Sequence, residues 1–287
     1  MGIINVLFSD KVTRRVKYQA FMNIVCAVYM WTMTLLVTHV SFFHIVPDCY
    51  EADNRVVIHR LAIWYIFTGT LGNYITCVFT KTDAKTSERL EKQIKSHGRY
   101  CLACEMQVPR RSHHCYLCES CIVKRDHHCF FMGVCIGREN HLYFIFFTLF
   151  MGIGTFYGLL LNAKYMHRLY GTQFHGPQTF VKIFFSLFAS LLTGQLPSYR
   201  YMGLFILMYV SLAGTMISFG FFAWQMLVVL NGQTTYEAKF GVTRYSKGSY
   251  LGNLREVFNS RSLVSLLLPM WDLATNTNYC RINSQSE

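Results

Sequence analysis

The chain has 287 residues, of which 52% are hydrophobic and only 15% charged, with 24 Phe and 18 Tyr. That balance excludes an ordinary soluble globular protein, and the long apolar runs behind it imply a polytopic membrane protein. The formal net charge of +12 invites a nucleic-acid partner, but the cations are distributed as membrane topology requires, and no nucleic-acid partner is expected.

In chain order, residues 1–20 form a short basic N-terminus carrying Lys11, Arg14, Arg15 and Lys17. Two apolar runs follow within residues 21–79, about 21–43 and 61–79, separated by a polar link with Pro47, Asp48, Glu51 and Asp53. Each run is long enough to span a bilayer, and the first is too long for a cleaved leader. Residues 80–141 change character: charges alternate from Lys81 to Lys95, then a cysteine-rich segment follows. Residues 142–230 hold two more spans, about 142–163 and 202–230, around a segment at 164–201. The tail, 231–287, is mostly polar, with an apolar stretch at 263–271 that is too short to cross. Residues 179–196 read three ways: a fifth span, a re-entrant segment, or an interfacial amphipathic helix. Lys and Arg number 21 in the N-terminus, cysteine-rich segment and tail, against 6 in the two links. The positive-inside rule therefore favours four spans, with the majority segments cytosolic and 164–201 lumenal. The expected fold is an α-helical polytopic membrane protein of four transmembrane helices, with a small cytosolic zinc-binding domain between spans two and three.

Seven of the 11 cysteines lie between Cys101 and Cys135, in a pattern that repeats every 14 residues. Cys101, Cys104, His114 and Cys121 are followed in the same spacing by Cys115, Cys118, His128 and Cys135. Three thiolates and an imidazole are a standard tetrahedral set for structural zinc, so two zinc ions are expected. Clustered C-x2-C pairs also fit a reducing compartment better than a disulfide framework does. Cys129 is left over. It stands where a third copy would begin, but the next ligand position is Met132. A spare thiol directly after Asp126, His127 and His128 is the candidate nucleophile.

The run from Cys101 through Pro109, Arg111, His114, Asp126-His127-His128-Cys129, Cys135 and Asn140 to Phe144 resembles the DHHC family of protein S-acyltransferases (palmitoyltransferases). Thr234-Thr235-Tyr236-Glu237 after the last span matches that family's TTxE motif, and Asn253 resembles the Asn of its C-terminal aromatic-and-Asn motif. Val108 departs from the basic residue common before the proline. The resemblance implies an acyltransferase that takes palmitoyl from palmitoyl-CoA and passes it to cytosolic cysteines of membrane-associated substrate proteins. It also implies an enzyme of the endomembrane system, Golgi or endoplasmic reticulum, whose site faces the cytosol at the lipid bilayer.

The residues supply a mechanism of their own beside this. A thiolate attacks a thioester far more readily than a thiol does. His127 is the natural base and Asp126 its orienter, as in a triad, whereas His128 belongs to zinc. The expected reaction is ping-pong, through an acyl-Cys129 intermediate. Arg110, Arg111, Lys124, Arg125 and Arg138 are candidates to meet the CoA phosphates, against topological or structural roles. By resemblance Thr235 contacts Asp126 and Asn253 is a structural hub; from the residues alone, Thr234-Thr235 also suits a helix cap and Asn253 a turn. Gly152, Gly154 and Gly158 suit either room for an acyl chain or close helix packing. His113 and His141, at positions equivalent to His127, are read as structural. The competing reading is a catalytically silent, membrane-anchored zinc-binding interaction protein, which leaves Cys129 and Thr234–Glu237 without a role.

Overall fold

The computed structural model describes residues 14–50, 55–84, 98–171, 178–194 and 198–258. The charge-alternating stretch from 85 to 95, residues 1–13, and the tail from 259 with its apolar run lie outside these residues. Among the described residues, four helices are long and apolar enough to cross a membrane: Val16–Tyr50, Val56–Phe79, His141–Tyr170 and Tyr199–Leu230. The protein is thus a multi-pass membrane protein.

Each helix outruns the apolar run that announces it. Helical hydrogen bonding does not stop where hydropathy does, and at 1.5 Å per residue a 30-residue helix is about 45 Å long against about 30 Å of hydrocarbon. The first helix is interrupted by a π-turn at Ser41–Ile45 before it resumes as Val46–Tyr50. Pro47 lies just beyond this widened turn and has no N–H to give to a regular ladder. Among the described residues the ambiguous segment forms the helix Gln178–Leu192, whose 15 residues reach only about 22 Å, less than the hydrocarbon thickness of a bilayer.

Packing divides the chain into two units, each assembled from separate stretches. Among the described residues, one draws on 32–67 and 150–219; the other draws on 14–31, 68–149 and 220–258. The first of these is a helical core in which Val37, Ile45, Met166, Leu187, Leu207 and Met208 are buried together. Two of its glycines, Gly154 and Gly158, serve close packing. A Cβ on Gly158 would stand 2.8 Å from Val37 Cγ1, and one on Gly154 would stand 3.0 Å from Ile66 Cγ2. Buried Asn162 donates to the Leu204 carbonyl at 2.8 Å, tying two helices.

The other unit carries the cysteine-rich segment as three antiparallel hairpins: β1 (Arg99–Cys101) with β2 (Met106–Val108), β3 (His113–Cys115) with β4 (Ser120–Ile122), and β5 (His127–Cys129) with β6 (Val134–Ile136). The 14-residue period of the sequence is therefore a period of backbone as well. Cys101 opposes Met106, Cys115 opposes Ser120, and Cys129 opposes Val134 in identical register. Each hairpin turns through one residue of positive φ, Glu105, Glu119 and Gly133. The chain leaving the second span is held to the middle hairpin: Ala84 N–H donates to Cys121 O at 2.8 Å and Val123 N–H to Thr82 O at 2.9 Å.

Candidate active site

The metal ligands follow from hairpin register. In β3–β4, His114 stands opposite Cys121, and in β5–β6, His128 stands opposite Cys135. Directly opposed residues project to the same face, with Cβ atoms about 5 Å apart, so each hairpin offers an imidazole and a thiol side by side. The preceding knuckle supplies two more thiols. Cys101, Cys104, His114 and Cys121 converge, as do Cys115, Cys118, His128 and Cys135, with the ligand atoms of each set within 4.8 Å of one another.

Both donor sets fit zinc. A tetrahedral ion with Zn–S about 2.3 Å and Zn–N about 2.1 Å holds S and N about 3.6 Å apart. His114 Nδ1 lies 3.2 Å from Cys104 Sγ; His128 Nδ1 lies 3.4 Å from Cys118 Sγ and 3.7 Å from those of Cys115 and Cys135. In the second set the mutual hydrogen bonds of the thiols drive Cys115 down and Cys118 and Cys135 up. A divalent cation resolves that conflict, because coordination ionises every thiol. The far nitrogen of His128 faces Asn23 Oδ1 at 3.2 Å, the outer-shell contact that fixes a ligating imidazole.

The third hairpin has the same backbone and completes the second set, but it begins no third one. Its positions equivalent to the second Cys, the His and the last Cys are Met132, Leu142 and Leu149. Cys129 therefore sits in a knuckle built for a metal ligand while no partner competes for its sulfur. It belongs to neither cluster and is 4% exposed.

The groups beside it are tightly ordered. Asp126 is 1% exposed. Its Oδ2 accepts from His127 Nδ1 at 2.7 Å and Gln225 Nε2 at 3.0 Å, and its Oδ1 from the Thr235 N–H at 2.6 Å. Burial opposes its ionisation, but the His127 bond, the charges of His141 and His127 and the Thr235 N–H hold it well below the usual carboxylate range. Cys129 lies two residues further along the same strand, and with Nδ1 engaged by Asp126 the nitrogen left to face a sulfur is Nε2. Burial again opposes charge, yet Asp126 and Cys129 push His127 up to about 9. The Phe144 ring stands edge-on to His127 with centroids 5.0 Å apart.

Thr234 and Thr235 divide the labour. Thr234 caps the short helix Thr235–Lys239 in a capping box with Glu237, so the capping reading holds. Thr235 reaches Asp126 through its backbone N–H. Asn253 sits in the helix Tyr250–Phe258, accepting from the Lys247 N–H at 2.7 Å and donating to Leu230 O at 2.7 Å. It pins that helix to the end of the fourth span.

The five basic candidates separate. Arg111 makes a two-pronged bond to Glu237, 2.7 Å on each arm, and reaches Glu256 at 3.2 Å. Lys124 meets the same Glu256 at 2.8 Å. The Arg125 guanidinium lies 5.8 Å from the Tyr236 ring. Arg110 and Arg138 are exposed, the latter 3.8 Å from Glu139.

Three functional neighbours carry no sequence signal: Gln225, Asn23 and Glu256 lie in helices far along the chain from the residues they serve. Asn140, one of the positions that carry the resemblance, is buried as well. Its amide spans the Cys77 and Cys135 carbonyls at 3.1 and 3.0 Å, and its oxygen takes the Gly137 N–H at 2.8 Å.

Comparison with known proteins agrees with this geometry. The chain is 26% identical over 266 residues to palmitoyltransferase ZDHHC22 of Danio rerio, covering 87% of this chain and 91% of that protein. It is 26% identical over 268 residues to palmitoyltransferase ZDHHC22 of Rattus norvegicus, covering 90% and 96%. The sequence profile of the DHHC palmitoyltransferase family matches residues 94–240, more than half of the chain. With both metal clusters, Asp126, His127 and Cys129 inside that match, the chain belongs to the DHHC palmitoyltransferase family.

Proposed function

We propose that the protein transfers a long-chain acyl group, palmitoyl first among them, from acyl-CoA to cysteines of membrane-associated substrate proteins by a ping-pong route through acyl-Cys129. The observation that carries this reading is a sulfur outside both metal clusters, two residues along the strand from an imidazole that a buried carboxylate orients. His127 Nε2 takes the Cys129 proton, and the sulfur attacks the thioester carbonyl carbon. The C–S bond to CoA breaks, and CoA leaves with the proton returned by His127. A substrate thiol then gives its proton to His127 and displaces Cys129 by the same chemistry in reverse. Two zinc ions, held by the eight ligands above, supply rigidity: they fix the hairpins that aim Asp126, His127 and Cys129.

The segments take the topology that charge asymmetry favours. Residues 1–20, the cysteine-rich domain at 80–141 and the tail at 231–287 face the cytosol. Spans occupy 21–79 and 142–230, and 164–201 is lumenal, in a Golgi or endoplasmic reticulum membrane. Of the basic residues, exposed Arg110 and Arg138 are best placed to meet CoA phosphates. Arg125 lies against Tyr236, and Arg111 and Lys124 join them only if a phosphate displaces Glu237 or Glu256.

Intact-mass analysis of the purified chain after incubation with palmitoyl-CoA tests the reading. A single hydroxylamine-labile adduct on Cys129 is expected, transferable to a cysteine peptide. A Cys129→Ser chain that still forms the labile adduct would overturn it.

A further inference from the structure

Two buried residues outside every motif extend the site. His141 opens the third spanning helix and Gln225 lies near the end of the fourth, each only 3% exposed. Gln225 Oε1 stands 2.6 Å from His141 Nε2, while Gln225 Nε2 donates to Asp126 Oδ2 at 3.0 Å and Thr235 Oγ1 at 3.2 Å.

The orientation of this amide is forced. A side-chain amide has one accepting and one donating end, and an ionised carboxylate only accepts, so the NH2 must face Asp126. The carbonyl is thereby turned to His141, which must carry its proton on Nε2. Thr235 Oγ1 takes a further N–H from Trp224 Nε1 at 3.1 Å. Asp126 thus receives three N–H groups, from Thr235, His127 and Gln225.

Their geometry gives each a different task. The Thr235 N–H fixes Oδ1 and leaves the carboxylate free to turn about its last torsion, which is intrinsically broad. The His127 bond cannot resist that turn, because His127 is the group being positioned. Gln225 is the second fixed point, and it sets the carboxylate plane. We propose that Gln225, itself oriented by His141, is a positioning residue for acyl transfer: it holds Asp126 Oδ2 on His127 Nδ1, which leaves His127 Nε2 for the sulfur of Cys129. This rests on the acyl-Cys129 reading.

The test compares the full-length chain, purified in detergent with palmitoyl-CoA as acyl donor, with Gln225→Met and Gln225→Glu. Methionine keeps the length and volume but removes both hydrogen bonds. Glutamate keeps the shape and an acceptor for His141 but sets a carboxylate against Asp126. Single-turnover acylation is followed by intact mass over a range of palmitoyl-CoA concentrations. Alkylation of Cys129 by iodoacetamide, without acyl donor, is measured in parallel. The maximal acylation rate should fall about 10- to 100-fold for Gln225→Met and further for Gln225→Glu, as expected for a lost hydrogen bond to a charged group. The half-saturating palmitoyl-CoA concentration should stay within about twofold, and zinc at one ion for each of the two clusters. Alkylation should slow with acylation. A Gln225→Met rate within about threefold of the parent, or a loss that tracks zinc release or a raised half-saturating concentration, overturns the proposal. Should the parent chain form no acyl-Cys129, the acyl-enzyme reading fails, and the alkylation comparison still decides the role of Gln225.

Discussion

The second and third hairpins put nearly the same four residues to opposite uses. Ser112-His113-His114-Cys115 and Asp126-His127-His128-Cys129 share strand, register and spacing. In both, the second imidazole turns Nδ1 to a metal cluster. They part at the first imidazole. Burial, with Arg99 and Arg125 nearby, lowers His113 to about 4, and its ring packs on Tyr236 with centroids 3.9 Å apart. His127, equally framed by strand, is pushed up to about 9. A cation beside one and a carboxylate beside the other decide the difference. The thiols part in the same way: Cys115 is committed to a cluster, whereas Met132, Leu142 and Leu149 leave Cys129 uncommitted. One duplicated scaffold thus holds its thiol within a ligand set in one copy and outside both sets, beside an acid and an imidazole, in the other.

The largest effect should come from erasing the acid. Asp126→Ser gives the working copy the residue of its neighbour. Cys129 acylation should fall about 100- to 10,000-fold, the range of an orienting carboxylate and the base it directs. Zinc content should hold, since Asp126 is no ligand. Single-turnover acylation with zinc analysis on the same sample checks both parts. A smaller loss would show that the hairpin itself, rather than the carboxylate, aims His127.

Next come the two metal sites. Asn23→Ala removes the outer-shell partner of His128, and such partners are worth about 10- to 100-fold in metal affinity. Chelator competition should therefore release the ion of Cys115, Cys118, His128 and Cys135 earlier, with that of the first cluster unmoved. Acylation should fall as this ion leaves, because His128 lies between His127 and Cys129. Equal release from both clusters would mean that the two sites are not separately tuned.

The ligand sets, the thiol left outside them and the spans were legible because each rests on local spacing: ligand positions recur every 14 residues and hydropathy is a running property. The span boundaries were less so, since polar ends such as Arg14–Lys17 or Lys164–Tyr170 continue a helix that hydropathy no longer marks. What sequence could not reach were partners brought together by packing. Gln225 lies 99 residues from Asp126, and Asn23 lies 105 from His128. Each occupies a helix in which many polar residues look alike until the neighbour is known. Arg111 shows the opposite failure: a basic residue that suits phosphate on composition, yet is engaged by Glu237 126 residues on.

The reverse exchange should do almost nothing for activity. Ser112→Asp places a carboxylate beside His113, but Cys115 remains a metal ligand. In a Cys129→Ser background acylation should stay at zero. The cost should be structural, about 1–3 kcal/mol, because an acid buried there must find partners of its own. Any acyl adduct on Cys115 would show that an acid alone makes a knuckle catalytic, and that the missing ligands at Met132, Leu142 and Leu149 are irrelevant.

The smallest effect concerns the clamp that the second and third hairpins share. Arg111 and Lys124, the residues of positive φ that precede the two motifs, both grip Glu256 of the helix Tyr250–Phe258. Glu256 is a quarter exposed. Burial opposes its charge, but the Lys124 bond and the charges of Lys124 and Arg111 hold it below its ordinary 4.5. A depressed carboxylate contributes stability above its unfolded value, so the clamp is complete above about pH 4.5 and is lost as pH falls through the lower folded value. Glu256→Gln should cost about 1 kcal/mol at neutral pH, a modest figure because water screens part of the pair. It should also remove the acid-dependent step. Hydrogen exchange of the amides of 250–258, compared between parent and Glu256→Gln from neutral to acid pH, isolates this clamp from zinc release, which is common to both chains. Protection should differ at neutral pH and converge in acid. If the two chains are equally protected at every pH, Asn253 alone holds the helix, and the paired cations serve the hairpins rather than the tail.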